Sequence, residues 1–365
     1  MAQVSTSEIG YTARRHTRNG IEWLARMGYF AKGTVYATVG ILTAMTAFGF
    51  AGGGITGFAQ GSASISGAGR WLIGRAGGTG TARVNTSGTV AISQLQVGLR
   101  ADDAAGTGTL LLEAGTINTS SWTEIGNGAG STGTLEMTGG AINLAGPGVG
   151  VDQPSVVIGS NAGGTGVATV SGGTITSSNR FRMGTGAGSS GTLNLSGGTI
   201  RTTGSHFEIG RDGGSAEVNL SGGLLDSAGE FWVAQGGGAV GEVNLGAGEI
   251  SAGSWTAVGR EGGTGSVVMT GGTYTQRDNG DAAFIVGASG PGTFDQSGGL
   301  VNLLASRAWI GENANATYTL GGTGTMNAPE ASRWRAVRLP PPPSTSTMAA
   351  PSTPTGSAAA RAPAR

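Results

Sequence analysis

The chain has 365 residues with 21 basic and 21 acidic side chains, two histidines and no cysteine. Without cysteine there is no disulfide framework and no thiolate chemistry or thiolate-held metal. Glycine supplies 74 residues and proline 11, near the level at which low-complexity disorder is the default, yet glycine does not recur at every third position as collagen requires.

Residues 1–32 form a basic segment carrying Arg14, Arg15, Arg18, Arg26 and Lys32. Residues 33–52 follow as a mostly apolar run, and no charge occurs from Gly33 to Gly69. A cationic flank ahead of one apolar run reads as a membrane insertion signal whose start stays in the cytoplasm. The run is expected to be a transmembrane helix, or a signal helix if the chain is cut after Ala59, where Gly57-Phe58-Ala59 offers small residues late in the segment. Trp23 to Tyr36, continuing through Ala47-Phe48-Gly49 and Gly52-Gly53-Gly54, resembles one helix of an uncharacterised bacterial family of small multi-helix membrane proteins. The resemblance spans residues 20–57 and implies membrane insertion alone. Residues 53–69 read as a linker.

From residue 70 to 330 one pattern recurs about ten times. It is clearest at Phe181-Arg182-Met183-Gly184, followed by a polar bend and then Thr192-Leu193-Asn194-Leu195-Ser196-Gly197-Gly198-Thr199-Ile200. The glycine after the aliphatic recurs at Gly74, Gly98, Gly126, Gly159, Gly184, Gly210, Gly259, Gly287 and Gly311, with Ala234 in the same slot. Most gaps are 24 to 26 residues, so the longer ones mark loop insertions such as 146–154 and 277–282. A unit this short cannot bury an apolar face alone and must stack on its copies. Apolar residues alternate within each unit, the period of a strand. The fold class is therefore all-β, a single-stranded parallel β-helix of about ten coils.

Stacking at this spacing predicts one interior column: Ile73, Val97, Ile125, Ile158, Met183, Ile209, Val233, Val258, Val286 and Ile310. Two positions earlier Trp71, Leu95, Val156, Phe181, Phe207, Phe231 and Phe284 fit, whereas Thr123, Thr256 and Ala308 do not. In those three coils the adjacent Trp122, Trp255 or Trp309 predicts a shifted register or a bulge. Alternation puts Trp232 and Trp309 outside, as glycan contacts; a local bulge turning them inward is the reading the sequence favours.

The repeat region holds eleven basic against nineteen acidic residues, which argues against a nucleic-acid partner. Catalysis finds little to use. His16 lies in the basic flank, and no G-x-S-x-G turn accompanies His206. Glu208, Asp212, Glu217, Asp226 and Glu230 cluster in sequence, and stacking would bring Glu208 near Glu230 or Arg182. Facing carboxylates about 5–9 Å apart would permit glycoside hydrolysis. Scattered solubilising charge is the simpler expectation. Loops such as Gly163-Gly164-Thr165-Gly166 lack the aspartate of calcium-binding nonapeptides, and no lysine follows any of them to hold phosphate. No cofactor or metal is expected.

Ile158-Gly159 through Gly163-Gly164-Thr165-Gly166 to Ser171-Gly172-Gly173-Thr174-Ile175, with its equivalents across residues 70–327, resembles the passenger-type repeats of bacterial autotransporters and of surface proteins with a sorting tail. The resemblance implies an extracellular or cell-surface β-helix. Residues 331–365, with Pro340 to Pro343 and five arginines, read as a disordered tail too short for an outer-membrane barrel. Its composition also suits a truncated or out-of-frame end, which would make the chain a product without selected function. The expected function is a non-catalytic stalk or adhesion module of the cell envelope, held by its amino-terminal helix or secreted, with surface glycans or envelope proteins as partners. The alternative is a β-helical carbohydrate-active enzyme, a lyase or glycosidase.

Overall fold

A computed structural model describes residues 60–146, 153–277, 279–304, 307–328 and 333–336. The amino-terminal helix expected over 33–52 and most of the tail expected over 331–365 lie outside the described residues. Among the described residues every regular element is a strand, and 27 strands join in one network of parallel pairings. The chain is a parallel β-solenoid of about ten turns, and at about 4.8 Å per coil the stack rises roughly 50 Å.

Each coil has three faces. In the best-defined one they are Arg180–Thr185, Ser190–Leu195 and Thr199–Thr202. The next coil repeats them with Phe207–Arg211 and Ser215–Ser227, the second and third faces here running together as one strand. The sheet extends past the limits drawn from the repeat alone. Ile65–Arg75 starts within the segment read as linker, and Arg333–Ala336 pairs with Arg307–Ile310 within the segment read as tail. Backbone pairing requires no side-chain period, so these strands left little trace in the pattern.

The inward column of the first face keeps one register from coil to coil. Ile73 pairs with Val97, Val97 with Ile125, Ile125 with Ile158 and Ile158 with Met183. Met183 pairs with Ile209, Ile209 with Val233, Val233 with Val258, Val258 with Val286 and Val286 with Ile310. All but Ile310 are buried, and Ile310 packs partly buried against the same core. Burying one such side chain contributes about 1.5–3 kcal/mol. Beside this column runs an aromatic spine. Phe181 stacks on Phe207 at 4.8 Å, a tilted contact leads on to Phe231, edge contacts carry the series through Tyr274, Phe284 and Phe294, and Phe294 stacks on Tyr318 at 5.1 Å.

The bulges expected near Thr123, Thr256 and Ala308 are absent. Leu95, Thr123 and Val156 pair in sequence, as do Phe231, Thr256, Phe284 and Ala308, without a register shift at these positions. The polar or small residue simply occupies the inward slot, and the neighbouring tryptophan stays outside the coil. Thr256 is fitted there because its hydroxyl joins Tyr274 Oη and Gln276 Oε1 inside the core.

The marker glycine turns the chain out of the first face. At Gly184 φ is +56°, and an added Cβ would lie 1.9 Å from the Ser215 carbonyl oxygen of the next coil. Both constraints admit only glycine without displacement. The third corner uses a different device. At the last inward position of the third face, Ser177, Thr202 and Ser227 donate their hydroxyls to the carbonyls of Asn179, Ser205 and Glu230 at 3.0, 2.7 and 2.8 Å. These buried hydroxyls add a bond at the corner carbonyls, of which Ser205 and Glu230 also accept the backbone N–H of Gly229 and Phe207 from adjoining coils.

Candidate functional site

Outward, mostly half-buried positions on the second and third faces carry amide ladders. Asn219 Nδ2 donates to Asn194 Oδ1 at 3.1 Å, and Asn244 Nδ2 to Asn219 Oδ1 at 2.9 Å. Asn143 Nδ2 makes the same contact with Asn118 Oδ1 at 2.8 Å. Asn219 and Asn244, with Ser221, Gly246, Val268 and Thr270, line a shallow open depression of about 270 Å³.

The outer side of the first face differs, because much of it is buried although it points away from the core. Its outward column runs Arg182, Glu208, Trp232, Ala257, Ile285 and Trp309. Glu208 is 0% exposed and Trp232 4%. Alternation thus holds, and Trp232 is covered by neighbouring side chains rather than by a turn into the coil. Trp232, Ala257, Ala283, Ile285 and Ala288 make a second, small apolar cluster against which Trp255 and Trp309 pack partly buried. Trp309 meets Trp255 edge-on at 6.4 Å, and Trp122 is exposed.

The lower half of this column is ionic. Arg180 Nη1 contacts Glu208 Oε1, while Arg182 Nε and Arg211 Nη1 reach Glu208 Oε2 at 2.7 and 2.8 Å. Glu230 Oε2 accepts from Trp232 Nε1 at 2.6 Å and from Arg260 Nη1 at 3.2 Å. Gln235 Nε2 donates to Glu261 Oε2 at 3.0 Å, and this bond, with Arg260 alongside, holds the Glu261 carboxyl below the usual carboxylate range. His206 Nδ1 accepts the Glu230 backbone N–H at 2.8 Å, and its ring stacks on Trp232 at 4.9 Å.

The five carboxylates singled out by sequence do not converge. Glu208, Asp212 and Glu230 belong to the first face and its edges, Glu217 to the second and Asp226 to the third. Asp212 takes the Arg211 Nε at 2.9 Å, and Asp226 pairs with Arg277 at 2.9 Å. Glu208 meets Arg182, as stacking suggested, but both its oxygens are occupied and no part of it reaches solvent. Sequence reasoning missed Arg180, Arg211 and Arg260. A one-coil spacing of 26 residues marks Arg182 with Glu208, Gln235 with Glu261 and Asp281 with Arg307, whereas Arg180, Arg211 and Arg260 reach their carboxylates from 28, 3 and 30 residues away.

Among the described residues no group of three His, Asp or Glu side chains is placed to hold a metal, and no helix is long and apolar enough to cross a membrane. No family model, curated protein or solved structure matches the chain.

Proposed function

We propose that this chain is a non-catalytic stalk or adhesion module of the cell envelope. The observation that carries the reading is the unbroken register of the inward column from Ile73 to Ile310, which makes one continuous rod of stacked coils. A rod of this kind separates what lies at its two ends and presents its outer ladders at a fixed repeat. The sequestration of Glu208 supports the non-catalytic part, since a carboxylate wholly covered and tied to three guanidiniums meets no substrate. The Asn194, Asn219 and Asn244 ladder supports the adhesion part, because amides at coil spacing suit the hydroxyls of a glycan. The cationic flank and apolar run over residues 1–52 support an envelope location, with tethering or release set by cleavage.

Fractionation of expressing cells, protease accessibility of the repeat region and binding on a glycan array test the reading together. Recovery in the envelope fraction with the repeats outside the cytoplasm is expected. Recovery in the cytoplasm overturns the location, and release of new reducing or unsaturated ends from a polysaccharide overturns the non-catalytic assignment.

A further inference from the structure

The outer cluster on the first face contains the only imidazole of the described residues, and its setting is specific to the neutral ring. Nδ1 of His206 accepts from a backbone N–H, so the imidazole proton sits on Nε2 in this geometry. The ring lies 4.9 Å from Trp232 at 24°. Trp232 already carries two cations, Arg260 with Cζ 4.2 Å from the ring centroid and Arg180 at 5.2 Å. The charged groups facing His206 are therefore Glu230, Arg180, Glu208 and Arg260. The carboxylates are engaged elsewhere, Glu208 by Arg180, Arg182 and Arg211, and Glu230 by Trp232 and Arg260.

We propose that His206 is an acid-operated latch on the outside of the solenoid, closing the cluster over Trp232 when neutral and releasing it when protonated. A proton on Nδ1 sets one N–H against another, the Glu230 amide, and removes the acceptor that holds the ring in place. It also brings a third cation to an indole already flanked by two. The ring then leaves the stack, and the Trp232 cover loosens. The interior does not depend on this contact. Phe207, the next residue, is wholly buried on the opposite side of the strand against Phe181. The released state is thus a local opening of the outer layer with the coils still stacked.

Burial holds the His206 imidazole below its ordinary value of 6.5, with Glu230 opposing that shift and Arg180 adding to it. The unfolded chain takes up this proton first as pH falls. The latch is therefore complete above pH 6.5 and is lost as pH drops below that value toward the folded pKa.

The test uses the full chain with His16→Gln, leaving one imidazole. Its nitrogen shifts, and the tryptophan fluorescence difference against the same chain with Trp232→Phe, are followed from about pH 8 to about pH 4.5. The expected result is the Nε2–H tautomer at high pH, then one-proton transitions in both signals with a common midpoint below 6.5, while the far-ultraviolet circular dichroism stays unchanged. His206→Gln abolishes the fluorescence transition. The proposal is overturned by an Nδ1–H tautomer, by a Trp232 signal that stays flat while the imidazole titrates, or by a transition that persists in His206→Gln. Should that variant fail to fold, the tautomer and the two midpoints decide on the histidine-bearing chain.

Discussion

Glu208 stands one coil above Arg182 in perfect register, and its Oε2 accepts the Arg182 Nε at 2.7 Å inside an outer layer that excludes solvent from the carboxylate. Glu208→Gln leaves Arg180, Arg182 and Arg211 converging on a neutral amide. Breaking a buried pair from one side costs about 3–5 kcal/mol, because the remaining charge stays desolvated. We expect a clear fall in the denaturant midpoint for Glu208→Gln. Glu242→Gln, at an exposed position on the second face, should move it by less than about 0.5 kcal/mol. Equal midpoints for the two variants would show the cluster to be solvated.

Ala234 fills the marker slot that glycine takes in the other coils, and it adopts φ +63° while fully buried. A left-handed alanine carries about 1–2 kcal/mol of strain, offset by its buried methyl and by the lower entropy of its unfolded state. Ala234→Gly should therefore change stability by less than about 1 kcal/mol. Gly210→Ala is a different case, because the new Cβ would stand 2.2 Å from the Val240 carbonyl oxygen at φ +75°. Strain and collision add there, and a loss above about 2 kcal/mol is expected in thermal or denaturant unfolding. A Gly210→Ala chain as stable as the parent would contradict the coil contact.

Tyr274 is wholly enclosed, and burial raises its phenol above the ordinary value of 10.0 despite the hydrogen bond to Thr256. Burial acts in the same direction on Tyr318. The unfolded phenols ionise first as pH rises, so their contribution is whole below pH 10 and declines above it. Absorbance titration should show these two of the five tyrosines ionising only as the chain unfolds. Tyr274→Phe should flatten the fall of stability above pH 10. Normal, reversible ionisation of all five would mean that this end of the core admits water.

The interior of the solenoid was legible because one slot is aliphatic or methionine from Ile73 to Ile310 and one glycine repeats behind it. A core position offers few chemical choices, and stacking imposes the same choice on every coil. The third corner was not legible, since Ser177, Thr202 and Ser227 look like surface residues until their donation to the turn carbonyls is seen. The outer cluster was half legible. Alternation placed Trp232 outward, but its cover comes from Arg180, His206 and Arg260, side chains about one or two coils away in sequence and long enough to fold over it. Expecting a large ring to avoid solvent by a bulge overlooked the other route, in which neighbours bring the cover to the ring.

Thr123 and Thr256 occupy the same inward slot of different coils, and the core treats them oppositely. Thr256 Oγ1 accepts from Tyr274 Oη and donates to Gln276 Oε1, so Thr256→Val strands two buried polar groups. Each such orphan costs about 1–3 kcal/mol. Thr123 Oγ1 is buried without a hydrogen-bond partner, beside an interior void of about 10 Å³ shared with Leu95, Ile125 and Phe181. A void at this size is at or below the volume a water needs, roughly 10–15 Å³, and its apolar walls offer a water no further bonds. Thr123→Val keeps the shape, removes the unsatisfied hydroxyl and should stabilise the chain by about 1 kcal/mol. Measured side by side in denaturant, the two valine variants should shift the midpoint in opposite directions. A shift of the same sign would mean that the inward slot does not distinguish a bonded hydroxyl from an orphaned one.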